Sequence, residues 1–320
     1  MLISFLLLGY NSSHTLPPLF DSLRSQTCQD YEVVALDNAS ADDTASVLEG
    51  TPNLSHLAVS PHNLGYAAGM NQLVARSAGS IVVPLNADVI LDDRFVENLL
   101  RSFECGHDVV SPLVYSGEGT DGRIDGAKIG ISLDMRSVHF LPSAPVRPLK
   151  QTGPCPAFSR DLIDRLGRGR GNPIFDDVLF DTYGEDIDLA LRVAREGVPV
   201  HFDESVVAFH SRSSSTGEAR AIFKTGRVRQ NIIAARYLNS LLHLTRGRLI
   251  AIVPLLLAQD VAVVLLRSRG GDRSVIRDVL GAWKQVLQKL GRTLRARRAA
   301  PPDPRVNSLL KLPRFRLRQA

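Results

Sequence analysis

The stretch DTYGEDIDLALRVAREG brings Asp181, Glu185, Asp186 and Asp188 within eight residues and then runs into helical spacing. Crowded carboxylates can take a proton from a hydroxyl, hold a cation or cap a helix. A helical advance of about 100° per residue groups Asp186 with Ala190, Val193 and Ala194, and sets Asp188, Arg192 and Arg195 on the opposite side. That spacing predicts a solvated i,i+4 pair between Asp188 and Arg192. It turns Asp186, at the helix N-terminus, with the apolar face toward a cleft, where partial desolvation tunes a general base. The same spacing also fits Glu185 and Asp186 as residues that only favour the helix dipole.

Further groups have two readings each. Asp88 in Asn86-Ala87-Asp88 can hold a divalent ion that offsets a diphosphate, or the triplet is an ordinary turn. His210, after VVAF, is a further metal ligand or a structural histidine. Asp37-Asn38-Ala39-Ser40 can hydrogen-bond a nucleobase or ribose, or form an Asx turn. NLGYAAGMN offers Gly65, Gly69 and backbone donors at a helix start, suited to a phosphate or sugar, without matching the dinucleotide fingerprint. Gly69 also fits as a site of close packing.

The elements that must position these groups alternate. Residues 2–8 are a continuous apolar run, as in a strand buried on both faces. A helix follows, with Thr15 as its cap and Pro17 in its first turn. YEVVALDN is a second strand, Ser40 and Asp42-Asp43 open a short helix, and residues 54–59 form a weaker strand. NLGYAAGMNQLVARSAG enters a helix, SIVVPLNADV is a strand ending near Asn86, and 94–104 is the next helix. This order implies an α/β fold with a mostly parallel sheet and ligands at the carboxyl ends of its strands, where Asp37 and Asn86 lie. Residues 116–150 are Gly- and Pro-rich, read as a long loop or irregular strands over the site. GPCPAFSRDLIDRLG is a short strand entering a helix.

The 320 residues suffice for one large domain with an appendage. The net charge of +5 divides unevenly, because residues 267–320 carry 15 Lys and Arg against 3 Asp and Glu. A mildly acidic body thus carries a basic tail suited to a polyanionic surface. Cys28, Cys105 and Cys155 form neither a disulfide framework nor a zinc pattern, which fits a reducing compartment. The apolar opening lacks a basic leader and a small-residue cleavage site, and reads as a strand rather than a signal peptide. Residues 249–266 are apolar but interrupted by Pro254, Gln259 and Asp260, predicting a shallow or re-entrant segment rather than a full span. Beyond it Val275, Ile276, Val279, Leu280, Trp283, Val286, Leu287 and Leu290 form an apolar stripe, with Arg277, Lys284, Gln288 and Lys289 largely away from it. Such a helix lies in a membrane interface, or packs on the main domain. A wide apolar surface and the lack of a recognition motif speak against nucleic acid.

The ordered set LLLGYNSS, VVALDNAS, NLGYAAGMN, VPLNADV and YGEDIDLALR, followed by VVAFHSRSS, resembles the family 2 glycosyltransferases of GT-A fold, in particular their bacterial rhamnosyltransferase-like branch. The resemblance covers about residues 1–235, leaving 236–320 as a helical extension. It implies that Asp37 and Asn38 contact the base, that Asn11 and Asn86 line the nucleotide-sugar pocket, and that Asn63, Gly65 and Asn71 border the donor site. Asp88 would bind Mg2+ or Mn2+, His210 would add a metal or diphosphate contact, Asp186 would be the base, and Glu185 its neighbour in the acceptor site. Asn86 stands where many relatives carry the first Asp of an Asp-x-Asp motif. The implied reaction is an inverting displacement from a dTDP-, UDP- or GDP-sugar, with rhamnose the leading donor sugar. The acceptor implied is a lipid-linked or polysaccharide hydroxyl, and the place would be the cytoplasmic face of the bacterial inner membrane, peripheral or monotopic on an anionic surface.

Two other classes compete. A sugar-phosphate nucleotidyltransferase has related architecture but opens with a Gly-rich, basic phosphate loop where this chain has GYNSSHT. A membrane-bound nucleotide-sugar binding protein without catalysis would differ in lacking turnover.

Overall fold

The computed structural model describes residues 1–117, 123–167, 174–211 and 226–311. In chain order the elements are β1 (Ile3–Gly9), α1 (Leu16–Arg24), β2 (Tyr31–Asp37), α2 (Thr44–Leu48), β3 (Leu54–Val59), α3 (Tyr66–Val74), β4 (Ile81–Leu85) and β5 (Val89–Leu91). Next come α4 (Phe95–Glu104), β6 (Val109–Ser116), β7 (Ile124–Gly126), β8 (Lys128–Ile131), β9 (Ser137–Phe140), β10 (Ala157–Ser159) and α5 (Arg160–Gly167). After these lie α6 (Glu185–Arg195), β11 (His201–His210), α7 (Gly226–His243), α8 (Arg246–Arg269), α9 (Ser274–Ala299) and α10 (Pro304–Leu309). The last residues of the tail, 312–320, and part of the VVAFHSRSS motif lie outside the described residues.

The apolar runs pair as parallel strands in the order β3-β2-β1-β4, because neighbours buried on both faces need crossover helices to cover them. Past β4 the sheet continues β10-β6-β11-β5, with β10 antiparallel to both its neighbours. One core lies between the sheet and α1 and α4, built around Phe5, Leu19, Phe95 and Leu99. Another packs α3, α5 and α6 on the opposite face through Met70, Leu162, Leu189 and Val193. Within 116–150, β8 and β9 pair as a separate two-stranded sheet, and β7 joins β6.

Several expectations change at this level. Thr15 makes no capping bond; its hydroxyl donates instead to the Ser12 carbonyl at 3.1 Å. Helix α6 has no solvated side, since Ile187, Ala190 and Leu191 join a third core with α7, α8 and α9 while Leu189 and Val193 face the sheet. Asp188 is therefore fully buried: Arg192 Nε donates to it at 2.8 Å and His243 Nε2 lies 2.9 Å from its other oxygen. The predicted Asp188–Arg192 pair exists, but inside the protein, as a clamp between α6 and α7.

The helix α7 runs unbroken through residue 235, joining the sheet domain to the C-terminal helices. Residues 249–266 belong to the continuous helix α8, which carries Pro254 within it and makes no re-entrant turn. This helix is long and apolar enough to cross a membrane by length and composition, and only 17% of its most apolar window is buried. Asp260 does not oppose this, because it faces inward and accepts from Tyr237 Oη at 2.5 Å and Trp283 Nε1 at 3.0 Å. The α9 stripe divides: Val275 and Val279 pack inward, whereas Ile276, Leu280 and Leu287 stay exposed. Lys289 also turns inward and donates to the Leu179 carbonyl at 2.7 Å.

Candidate active site

The carboxyl ends of β1, β2 and β4 open onto a cavity of about 310 Å3 whose wall includes Asn11, Asn38, Asn63, Gly65, Asn86 and Asp88. These come from four chain segments that the parallel strands deliver to one edge. Asn38 holds the rim by accepting from Leu64 N at 2.8 Å and donating to Asn63 Oδ1 at 3.2 Å. Asn63 in turn accepts from Gly65 N at 2.8 Å. Gly65 sits at φ +80°, and a Cβ there would fall 1.9 Å from Asp181 Oδ1, so a side chain at this turn would be strained and would displace Asp181. Asn11 also has positive φ, and its side chain accepts from Ala41 N at 2.8 Å, tying the end of β1 to the segment after β2.

Two expected donor contacts stand elsewhere. Asn71 is buried and spends its amide on the Ile174–Asp177 segment: its oxygen accepts from Phe175 N at 3.0 Å and its nitrogen donates to the Phe175 carbonyl at 2.9 Å. It holds the Ile174–Asp177 segment and is not part of the cavity wall. Asp37 is 2% exposed, with one oxygen accepting from Ser40 N at 3.2 Å and the other without a partner among the described residues. It lies behind the rim as an Asx-type turn, with Asn38 in front.

A larger cavity of about 600 Å3 adjoins through Tyr66, Asn86, Asp88 and Thr182, which line both. Its walls carry Asp186, Glu185, Lys150, His210 and Asp125. The helix-heading acid and the strand-end groups thus face one space. Gly184 permits this entry: at φ +90° its missing Cβ leaves room for Ala235, which a Cβ would approach to 2.4 Å.

The two adjacent acids differ sharply. Asp186 keeps 37% of its side chain exposed, and one oxygen lies 2.7 Å from Lys150 Nζ. Glu185 is 8% exposed, and its Oε2 has no partner among the described residues. Burial, and next the charge of Asp186, push the Glu185 carboxyl up to about 8, so near neutrality it holds its proton. Burial likewise raises the Tyr66 hydroxyl, followed by the charges of Glu185 and Asp186. Of the pair only Asp186 combines an open face with a compensating cation, the arrangement a base requires.

Lys150 and Asp125 carry no sequence signal of their own, because both lie in the irregular 116–150 segment. Lys150 is 3% exposed. A single lysine beside GPCPAF becomes legible only when β10 is seen to hydrogen-bond between β4 and β6. Asp125 lies 2.8 Å from His210 Nδ1, and the opposite ring nitrogen lies 3.2 Å from Asp88 Oδ1.

Among the described residues no group of three or more His, Cys, Asp or Glu side chains is arranged to hold a metal alone. Asp88 and His210 nonetheless form a two-donor set with an orienting carboxylate behind the imidazole. That set fits an ion such as Mg2+ or Mn2+, which takes one or two protein donors and fills the rest of its shell with phosphate oxygens and water.

The family model described as Glycosyl transferase family 2 matches residues 4–166. The O-antigen chain rhamnosyltransferase RfbN of Salmonella typhimurium is 22% identical over 248 residues, spanning 71% of this chain and 72% of that protein. The undecaprenyl-phosphate 4-deoxy-4-formamido-L-arabinose transferase of Proteus mirabilis is 30% identical over 119 residues, 34% of this chain and 35% of its own length. Among solved structures, the mannosyltransferase PcManGT from Pyrobaculum calidifontis in complex with GDP-Man and Mn2+ superposes with a TM-score of 0.51 at 17% identity, covering 89% of this chain and 86% of the other. S. aureus TarS 1-349 in complex with UDP-GlcNAc reaches 0.55 at 16% identity, covering 97% and 84%. At these identities the structures share the fold.

Proposed function

Because the chain belongs to glycosyl transferase family 2, we propose that it is an inverting enzyme that moves a sugar from a nucleoside diphosphate to a hydroxyl of a lipid-linked or polysaccharide acceptor in bacterial surface-glycan synthesis. That it is a glycosyltransferase of GT-A fold follows from the family; the finer reading rests on the site. The observation that carries it is the cavity wall shared by Asp186, Asp88 and His210.

In this reading Asn38, Asn63 and the Gly65 turn form the edge against which the nucleoside diphosphate lies. A divalent ion bound by Asp88 and His210 would supply charge stabilisation to the departing diphosphate. Asp125 holds the imidazole by its other nitrogen. Asp186 takes the proton from the acceptor hydroxyl as that oxygen attacks the anomeric carbon and the bond to the diphosphate breaks, which inverts the configuration. Lys150 fixes the carboxylate and balances its charge beside the protonated Glu185. A positioned base contributes typically about 10²–10⁴-fold to rate.

The donor is a dTDP-, UDP- or GDP-sugar, with rhamnose favoured by the similarity to the O-antigen rhamnosyltransferase. The lipid-linked acceptor is suggested by the similarity to the undecaprenyl-phosphate transferase and by the largely uncovered apolar face of α8. With α9's exposed Ile276, Leu280 and Leu287, α8 would hold the enzyme at an anionic cytoplasmic leaflet. Incubating the protein and Mg2+ or Mn2+ with radiolabelled nucleotide sugars and a bacterial lipid extract tests the proposal. Label passing into the organic phase for one donor supports it; no transfer with any donor refutes it.

A further inference from the structure

A third cavity, of about 590 Å3, lies between β9, the head of α6 and the helices α7 and α8. Four arginines line it, Arg136, Arg229, Arg236 and Arg267, together with Asp186 and Asp260. Asp186 also lines the large cavity, so the two spaces meet at the base.

Most of the acids nearby serve to set the arginines. Arg229 is held by Asp272 at 3.0 Å and Asp278 at 3.2 Å, and Arg236 donates to the Asp134 carbonyl at 3.3 Å and to Gln259. The carboxylates of Asp134 and Asp260 come no closer to Arg236 than 3.8 Å. Arg136 pairs with Asp134 at 3.2 Å but keeps 55% of its side chain exposed, while Arg267 lies 3.8 Å from Asp272 and keeps 38% exposed. Each guanidinium has five donors, more than these contacts use. Forked donors converging from several sides match the oxygens of a phosphate better than a neutral sugar. The rim is apolar: Ile232 and Val263 line it and are exposed, and Leu266 of α8 is exposed nearby in sequence.

We propose that this cavity holds the phosphate or diphosphate headgroup of an amphiphilic acceptor, with the lipid chain along α8 and the reactive hydroxyl presented to Asp186. The proposal rests on the transferase reading above and assigns to the four arginines the recognition of the acceptor. Anionic head and apolar tail are matched by adjoining surfaces, and a cavity ending at the base serves the substrate that gives up the proton.

The full chain provides its own reporter, since Trp283 is its one tryptophan and donates to Asp260 on the cavity wall. Its fluorescence is titrated with farnesyl diphosphate, farnesol and inorganic diphosphate, for the wild type and for Arg136→Gln/Arg267→Gln, both at half-exposed positions. The wild type should bind farnesyl diphosphate at least tenfold more tightly than farnesol or inorganic diphosphate, and the double variant should lose at least tenfold, with an unchanged melting temperature. Equal affinity for farnesol would reduce the site to an apolar surface. Undiminished binding by the double variant would place the diphosphate in the donor cavity. Either result overturns the proposal. Nucleotide-sugar binding, read in parallel by calorimetry, keeps the two claims apart: failure of that binding in the wild type removes the transferase reading, whereas loss of farnesyl diphosphate binding alone concerns the arginine cavity.

Discussion

Replacing Glu185 by Gln tests how the site assigns its two acids. The carboxyl is buried, with one oxygen unpartnered among the described residues, and burial with the neighbouring Asp186 lifts it from an ordinary 4.5 to about 8. In the unfolded chain the ordinary value returns, so between these two pH values the folded state holds the extra proton and stability falls as pH rises. Gln cannot ionise and escapes that loss. One pKa unit corresponds to about 1.4 kcal/mol; relaxation and water penetration around the buried group reduce the full shift to an expected relative gain of about 1–3 kcal/mol between pH 5 and pH 9. Any cost of fitting the amide is independent of pH and cancels in the difference. Urea unfolding of both proteins at the two pH values measures it. Because the wild-type acid is already protonated near neutrality, Glu185→Gln should also retain most of its transfer activity at pH 7. A stability difference that does not change with pH, or an inactive variant at pH 7, would refute the assignment.

Lys150→Met should lower kcat about 10–100-fold, because the base loses its partner at 2.7 Å and its fixed geometry; single-turnover kinetics showing wild-type chemistry would remove Lys150 from the site. Gly65→Ala should cost about 2–4 kcal/mol and weaken nucleotide-sugar binding more than tenfold, since φ +80° suits only glycine and the Cβ strikes Asp181; denaturation and calorimetry report both. Substituting Ile276, Leu280 and Leu287 together by Glu should release the protein from anionic liposomes without loss of melting temperature, because all three are exposed; unchanged co-sedimentation would clear this face of a membrane role.

The strands were legible because continuous apolar runs broken by Asn, Gly and Asp leave few alternatives, and parallel pairing then carries Asn11, Asn38 and Asn86 to one edge. The surroundings of Asp188 were not, since a helical wheel reads one wet and one dry side while α6 packs on both: Leu189 against the sheet, Ile187 against the C-terminal helices. Asp188 therefore looked solvated and is buried. Lys150 and Asp125 escaped because no periodicity fixes register in the irregular segment that carries them. The satisfaction of Asp260 within the apolar block was hidden for a related reason, as the partners of its carboxylate, Tyr237 and Trp283, lie 23 residues away on either side.

Asp186, the proposed base, shares one cavity wall with Asp88 and His210, and Asp186→Asn probes that role most directly. Sugar transfer and nucleotide-sugar binding are measured on the same preparation, by single turnover and by calorimetry. A fall in transfer of at least about 10³-fold with donor affinity unchanged within about threefold (under 1 kcal/mol) is the predicted result. Transfer near the wild-type rate would contradict it.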